Sequence, residues 1–491
     1  MKRTVSFLVM ICLAFSLFAP LAVSADPGEE MVELAADIAD ALMNSIASDG
    51  HPVVDISKYN LKFPDDVDFL RDTCEYLRYS YPDLFFVDFS SYSTGIQSMT
   101  SIKSLTFNYR FETRVLSSKR QEYEKLLGAC LDDIAGWNPT TDLAKVLAVH
   151  RYLIQNFEYD LNLEVRDSYT MLKTRAGVCE GYTSLFIALL ARLGVEASFV
   201  ISEDMVHAWN LVKINGKWYH IDNTWDDPTY ALGGGESSTG NVLDRISDKN
   251  FLKSDAAFLV SSPEKGKHYG AKAYYACTST LYDGYFWDST HSGVFSFGND
   301  DFWYITLNGT FMHTGSEGYA ELAYINDRWY TYQDGKRTNS FYYDANSGMP
   351  ANYSVLEFYA DCFYYNDCDH VYKYSMADKT STVVFENDPA EGNIFGIRRN
   401  GNVLSIEIAK DMQNPGVIRT ITLEEGALYC DFNKDGIVDS DDAIYLLRHI
   451  LFPKDFPVDY EPDLNGDGLF DSDDAIYLLR HVLFPKDFPL N

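Results

Sequence analysis

Long apolar runs are nearly absent from this sequence: past the first two dozen residues, no stretch reaches the ~20 apolar residues that a membrane span needs. Positive charge is also scarce. Lys and Arg number 40 against 72 Asp and Glu, for a formal net charge of −32. Such a surface repels phosphate backbones, which argues against nucleic acid as a partner, and it favours solubility and cation binding. Polar low-complexity sequence is missing as well. With 46% hydrophobic and 15% aromatic residues, the chain has ample material for packed interiors, which excludes disorder over most of its length. At 491 residues it is too long for one core, so several domains are expected.

The one apolar run that does exist lies at the N-terminus. Lys2 and Arg3 precede an apolar stretch from Val5 to Phe18, and Val23-Ser24-Ala25 sets small residues at a cleavage position. This pattern predicts a secretory signal over 1–25, with the mature chain starting at Asp26 and exported to the extracellular side. Ile11, rather than a small residue, precedes Cys12, which argues against a lipid anchor. Of the 8 cysteines, Cys12 would leave with the signal. Export permits disulfides, yet the remaining number is small and odd. At least one thiol is expected unpaired or bonded to another molecule.

Beyond the signal, four regions are expected. Residues 26–138 mix helical and strand patterns: an amphipathic helix over 31–46, a helix over 65–79 and a strand over 101–111. Residues 139–270 open with a helix in which Leu143, Val146, Leu147, Val149, Leu153 and Ile154 recur at the spacing of one buried face. Residues 271–427 are dense in Tyr, Phe and Trp, cut by Gly, Asn and Asp turns. Phe302–Ile305, Arg328–Tyr330 and Phe363–Tyr365 read as strands of an all-β domain, propeller-like or sandwich-like. Residues 428–491 hold a repeat in which Asp431–Phe456 recurs as Asp463–Phe488.

Within that repeat, the first copy reads as a twelve-position loop. Asp431, Asn433 and Asp435 stand at positions one, three and five, and Gly436 at six allows a sharp turn. The Ile437 carbonyl comes at seven, Asp439 at nine and Asp442 at twelve. Hard Ca²⁺ takes about 6–8 oxygens, and this spacing supplies them. The second copy repeats the set with Asp463, Asn465, Asp467, Leu469, Asp471 and Asp474, so two Ca²⁺ ions are expected. The bland alternative is a pair of Asp/Asn turns capping two helices, but two matching loops seldom coincide. Pro457 and Pro462 forbid a regular helix entering the second loop, so each loop feeds only an exiting helix.

In the second region, Gly177-Val178-Cys179-Glu180-Gly181-Tyr182 precedes a helical pattern that runs through Leu185, Phe186, Leu189 and Leu190 to a stop at Gly194. Cys179 therefore opens a helix, where the macrodipole favours thiolate. Downstream, His207–Ile214 and Lys217–Asp222 flank Asn215-Gly216, a strong signal for a type I′ hairpin. That register pairs Ile214 with Lys217 and Leu211 with His220, and it puts His207 and Asp222 on one face within side-chain reach. A carboxylate so placed orients the imidazole and stabilises imidazolium, while the other ring nitrogen addresses the thiol. His220 is a rival base on the same face. His150, inside a helical pattern, reads as core or surface.

These residues carry two resemblances. Gly-Val-Cys-Glu-Gly-Tyr at 177–182, His-Ala-Trp-Asn at 207–210 and Trp-Tyr-His-Ile-Asp-Asn-Thr-Trp-Asp-Asp-Pro at 218–228 resemble the transglutaminase-like superfamily of bacterial secreted proteins. The resemblance implies a papain-like α+β core, with Cys179 as nucleophile, His207 as general base and Asp222 as the orienting carboxylate. It also implies acyl transfer on amide bonds of a protein or peptide substrate, by peptidase, amidase or transglutaminase chemistry. Glu180 stands where animal transglutaminases carry Trp, which weakens crosslinking relative to hydrolysis. The duplicated loop-plus-helix resembles a small all-α type I dockerin, which implies a cohesin module of a cellulosome-like scaffold as partner. Its recognition positions fall on Ser440, Asp441, Leu447 and Arg448, and on Ser472, Asp473, Leu479 and Arg480. Leu451-Phe452-Pro453 and Leu483-Phe484-Pro485 extend each unit beyond the family's usual form.

Two weaker signals remain. Cys362, Cys368 and His370 match no zinc spacing and lack a fourth ligand, so a local disulfide or ordinary strand cysteines are expected. Aromatics of the third region could stack on sugars, but packing a β core accounts for them first. A non-catalytic protein that engages polysaccharide or cell wall from a scaffold is the alternative to an enzyme.

Overall fold

The computed structural model describes residues 28–44, 46–47, 50–98, 100–227, 246–264, 266–290, 292–298, 301–315, 318–325, 328–342, 353–411, 416–423, 430–433, 438–458, 461–465, 469–484 and 488. The signal segment and the expected loop at 233–240 lie outside them. The described chain divides into two units, one running to Tyr324 and one starting at Ile325.

In the first unit, helix α1 (Glu29–Asn44) turns Leu34, Ile38 and Leu42 inward and packs on α2 (Val67–Ser80). Strands β1 (Val53–Asp55), β2 (Val87–Gln97) and β3 (Ser101–Tyr109) make a small antiparallel sheet with β3 at its centre. Helices α3 (Thr113–Ala135) and α4 (Asp142–Asn156) follow, the latter capped by the Thr141 hydroxyl accepting from the Ala144 N–H. A short parallel pair, β4 (Glu158–Tyr159) and β5 (Ala176–Gly177), brackets α5 (Ser168–Thr174). Then α6 (Cys179–Arg192) runs beneath a sheet ordered β8-β7-β6-β9, formed by β6 (Ala197–Ser202), β7 (His207–Ile214), β8 (Lys217–Ile221) and β9 (Lys272–Ala273).

The spacing predicts one buried face on α4, but its residues from Val146 to Gln155 are all buried. The reason is a sheet from the aromatic region. Strands β10 (Phe295–Gly298), β11 (Asp301–Ile305), β12 (Thr310–Gly315) and β13 (Gly318–Tyr324) form an antiparallel meander that belongs to the first unit. The Arg151 guanidinium lies 3.8 Å from the Phe295 ring centroid and donates to the Ser292 carbonyl at 3.2 Å. The Thr140 hydroxyl donates to the Phe297 carbonyl at 2.8 Å. Thus the aromatic stretch expected to form one domain over 271–427 is split between the units at Tyr324.

The second unit is a series of antiparallel meanders in chain order: β14 (Tyr330–Gln333) with β15 (Lys336–Phe341); β16 (Leu356–Tyr359), β17 (Cys362–Asn366), β18 (His370–Ser375) and β19 (Thr380–Glu386); and β20 (Asn393–Asn400), β21 (Val403–Ala409) and β22 (Val417–Thr422). Trp329, Tyr353 and Phe395 share one interior cluster, and Tyr364, Ile394 and Ile406 another. The aromatics here mainly fill cores rather than face solvent. Helices Ser440–Leu451 and Ser472–Leu483 end the unit, packed through Leu446, Leu464, Ala475 and Leu478. The seven cysteines of the described chain are buried and none is in a disulfide, so the local bridge between Cys362 and Cys368 does not form.

Candidate active site

Three segments deliver the site. Asn215 and Gly216 both take positive φ (49° and 74°), closing a two-residue turn that pairs Ile214 with Lys217 and Leu211 with His220. The ladder ends at Asn210–Ile221. One residue later the chain turns into α7 (Asn223–Asp226), with Asp222 as its N-cap. The Oδ1 of Asp222 accepts the Thr224 and Trp225 N–H groups at 3.0 and 3.1 Å. That cap fixes the carboxylate and directs Oδ2 at His207, whose Nε2 lies 2.6 Å away. The other ring nitrogen, Nδ1, is not engaged by Asp222, and Cys179 lies within electrostatic reach of the imidazole.

Burial grades across these groups. Cys179 and His207 are each 7% exposed, and Asp222 is fully sealed. Burial alone pushes the His207 imidazole down, but the charge and hydrogen bond of Asp222, with help from Cys179, outweigh it and lift the group to about 10. The same attraction overcomes burial at Asp222 and holds its carboxyl below the ordinary range. Trp225 stacks on the His207 ring at 5.5 Å between centroids, roofing the imidazole–carboxylate bond.

Cys179 is the first residue of α6. Val178 before it is extended (ψ −179°), so the Cys179 N–H is among the first-turn donors that have no acceptor within the helix. Glycine flanks the cysteine because Met171 crowds it. A Cβ on Gly177 would fall 2.6 Å from the Met171 sulfur, and one on Gly181 would fall 3.2 Å from the same atom. Gly177→Ala is therefore expected to destabilise the fold by about 1–3 kcal/mol. Chemical denaturation checks this, with Met171→Ala in the same chain recovering part of the loss.

His220, the rival base, is ruled out by its tautomer. Its Nδ1 accepts the Trp209 indole N–H at 2.9 Å, which puts the ring proton on Nε2, bound to Asp255 at 2.8 Å. Both nitrogens are spent on holding the sheet. Cys277 beside this pair is fully buried, and burial followed by the Asp255 charge pushes its thiol well up. It is a Cys-His-Asp grouping without a nucleophile. His150 is a core residue: its Nδ1 lies 2.8 Å from Asn223 Oδ1, and its Nε2 lies 3.4 Å from Asp248 and 3.8 Å from Asp226. Burial pushes Asp226 up to about 8 despite the opposing pull of His150. This buried set pins α7, and so Asp222, to α4.

One residue beside Asp222 has no signal in the sequence. His268, 1% exposed, places Nε2 2.7 Å from the same Asp222 oxygen that His207 uses. It sits alone between Lys267 and Tyr269, far from any motif. His207, Asp222 and His268 offer ligand atoms within 4.8 Å of one another.

Beside the α6 N-terminus lies a cleft of about 260 Å³, lined in part by Arg78, Tyr79, Phe89, Arg166 and Glu180. Glu180 is a structural keystone of its wall. Its carboxylate accepts from Arg78 at 3.2 Å, Arg166 at 3.1 Å and the Tyr79 hydroxyl at 2.9 Å. Arg166 also lies within electrostatic reach of the Cys179 sulfur.

Of the C-terminal loop positions, Asp435, Ile437 and Asp467 lie outside the described residues. Asp442 and Asp474 are fully buried, and each accepts N–H groups of its own loop: Asn433 on Asp442 at 3.1 Å, and Leu464 on Asp474 at 2.7 Å. Asp439 and Asp471 cap the two helices, reciprocated by Asp442 and Asp474. Asp431, Asn433, Asp463, Asn465 and Leu469 lie in the non-helical stretches just before. Ser440, Asp441, Leu447, Arg448 and their counterparts Ser472, Asp473, Leu479 and Arg480 are all exposed.

Residues 132–223 match the model of the transglutaminase-like superfamily. This part of the chain has a transglutaminase-like fold. Among curated proteins it is similar to the kyphoscoliosis peptidase of Mus musculus, 26% identical over 147 residues, which cover 26% of this chain and 22% of that one. The Homo sapiens kyphoscoliosis peptidase is 28% identical over 105 residues, covering 17% and 16%. The match thus spans less than a quarter of either relative. A solved structure of a TGase aligns at 16% identity with a TM-score of 0.22, over 40% of this chain and 58% of that one. The transglutaminase-like match carries the His-Asp pair and the cysteine on one small core. Among the described residues no helix is long and apolar enough to cross a membrane.

Proposed function

We propose that this chain is an exported, cysteine-dependent acyl-transfer enzyme acting on amide bonds of proteins or peptides. The observation that carries this reading is the 2.6 Å hydrogen bond between His207 Nε2 and Asp222, with Cys179 within electrostatic reach of the same imidazole. In that arrangement the thiol proton passes to His207 Nδ1, and the resulting thiolate adds to the amide carbonyl. The Cys179 N–H at the α6 start is positioned to donate to the tetrahedral oxyanion. His207 then gives its proton to the departing amine nitrogen, the C–N bond breaks and a thioester remains. Water or a second amine attacks the thioester, His207 takes up its proton, and the thiol is restored. Water gives cleavage when the amide attacked is in the backbone and deamidation when it is a side-chain carboxamide, whereas an amine gives transamidation. Incubation with a protein library followed by mass spectrometry separates the three products. Equal product in the Cys179→Ala variant would refute the reading.

The C-terminal repeat supplies delivery. Its two loops would each hold one Ca²⁺: Asp431, Asn433, Asp435, the Ile437 carbonyl, Asp439 and Asp442 in the first; Asp463, Asn465, Asp467, the Leu469 carbonyl, Asp471 and Asp474 in the second. The fit rests on an all-oxygen donor set and on two buried carboxylates, Asp442 and Asp474, folded against their loops. The bound ions would lock loop to helix and present the duplicated exposed positions to a cohesin module of a scaffolding protein. At a hundredfold excess over Kd, each ion adds about 2.7 kcal/mol to stability. EDTA is accordingly expected to lower the thermal transition of the 430–488 segment, followed by hydrogen exchange, and Ca²⁺ to restore it. A transition indifferent to both reagents counts against the ion.

A further inference from the structure

We infer that His268 is a positioning residue that sets the strength of the Asp222–His207 pair, acting on His207 only through the carboxylate they share. The inference rests on the proposed triad and adds a fourth member to it.

The geometry is specific. Asp222 is fully buried and has two oxygens. Oδ1 is saturated by two backbone N–H groups of the α7 cap. Oδ2 receives both imidazoles, His207 at 2.6 Å and His268 at 2.7 Å, each through Nε2. A carboxylate sealed from water spreads its charge only through the N–H groups that donate to it, here two on Oδ1 and two on Oδ2. A second N–H on the same oxygen stabilises the anion, lowers its basicity and weakens its hold on the imidazolium opposite. His268 thus keeps His207 able to release its proton to a leaving amine. Without it, the Asp222 charge would act on His207 alone.

The surroundings of His268 hold it neutral and in place. Its ring stacks on Phe258 at 3.9 Å between centroids and packs against Trp225 at 4.2 Å. Facing it are Asp222, His207 and His220, and burial is the first of the influences that push its own protonation down. On its far side it lines a cavity of about 190 Å³ shared with Lys249, Lys253, Lys267 and Asp288, where Lys253 pairs with Asp288. The charges of His207 and His220 further disfavour a proton on His268. A neutral ring with its proton on Nε2 is the form that donates to Asp222.

The test compares His268→Phe, which keeps a ring between Trp225 and Phe258 but deletes the donor, with His268→Gln, which keeps one N–H. The readouts are the titration of His207 by NMR of ring-labelled histidine and the alkaline limb of kcat/KM. In His268→Phe both are expected to move up by about one pH unit, a tenfold change in proton affinity. In His268→Gln both stay near the wild type. Should His268→Phe fail to fold, His268→Met is read the same way. Unshifted titration of His207 in the apolar variant, or an equal shift in His268→Gln, overturns the inference. The NMR arm needs no turnover, so failure of the catalytic reading would show separately, as activity that survives Cys179→Ala.

Discussion

Cys179→Ala is expected to remove amide turnover to the level of buffer, a loss of about four to six orders of magnitude in kcat. The expectation follows from the arrangement of the other thiols. All seven cysteines of the described chain are buried, and Cys179 is the one among them that acts on the His207 charge. Cys277, the one other thiol grouped with a histidine and an aspartate, faces a His220 whose two nitrogens are already bonded. Among the described residues no second sulfur is placed to take over. The substitution leaves an alanine at the first position of a helix, so the fold should be retained. Circular dichroism and the thermal transition check that, while a fluorogenic peptide amide reports turnover. Alanine combined with undiminished turnover would move the chemistry elsewhere in the chain.

Asp222→Asn is expected to cost about three to four orders of magnitude in kcat with little change in KM. The amide keeps an Oδ1 acceptor for Thr224 and Trp225, so the α7 cap survives. Its NH₂ group, however, meets two imidazole nitrogens that now donate to oxygen. His207 must turn its Nε2 into an acceptor, which moves the ring proton to Nδ1. That nitrogen can then no longer take the proton of Cys179. The stability signature is equally specific. Burial opposes both charges but loses to their attraction, so the Asp222 carboxyl is held low and His207 is raised to about 10. A lowered carboxylate contributes stability above its unfolded value of about 3.9 and loses it as pH falls through the folded value. A raised imidazole contributes fully below its unfolded value of about 6.5 and loses that contribution as pH rises through the folded value near 10. Wild type should therefore exceed Asp222→Asn in stability most clearly between about pH 4 and 6.5, with the gap closing towards pH 10. Urea titrations across pH measure it, and a gap independent of pH would contradict the coupled pair.

The parts of this molecule that could be read in advance are those built by local rules. Asn215-Gly216 sets the hairpin register within eight residues on either side, and the Gly–Cys–Gly stretch announces a helix start. The repeated helices at 440–451 and 472–483 declare themselves by repetition. Position relative to distant chain was not legible. His268 reaches Asp222 across 46 residues with no periodic pattern to mark it, and its role depends on where a loop returns. The all-round burial of α4 likewise depends on a sheet from residues 295–324, whose aromatic strands announce themselves as β but not as a cover for that helix. Asp222 shows the boundary between the two cases. Its reach to His207 follows from the hairpin, whereas its duty as a helix cap, which aims the oxygen, appears only where the strand ends.

The most direct measurement of the central claim is the capture of the acyl intermediate. A slowly resolved amide or activated ester substrate, quenched in acid and mapped by peptide mass spectrometry, should leave its acyl mass on the peptide carrying Cys179. The adduct should be absent from Cys179→Ala and greatly slowed in Asp222→Asn. An acyl group found on another residue, or turnover without any adduct that persists when Cys179 is replaced, would contradict it.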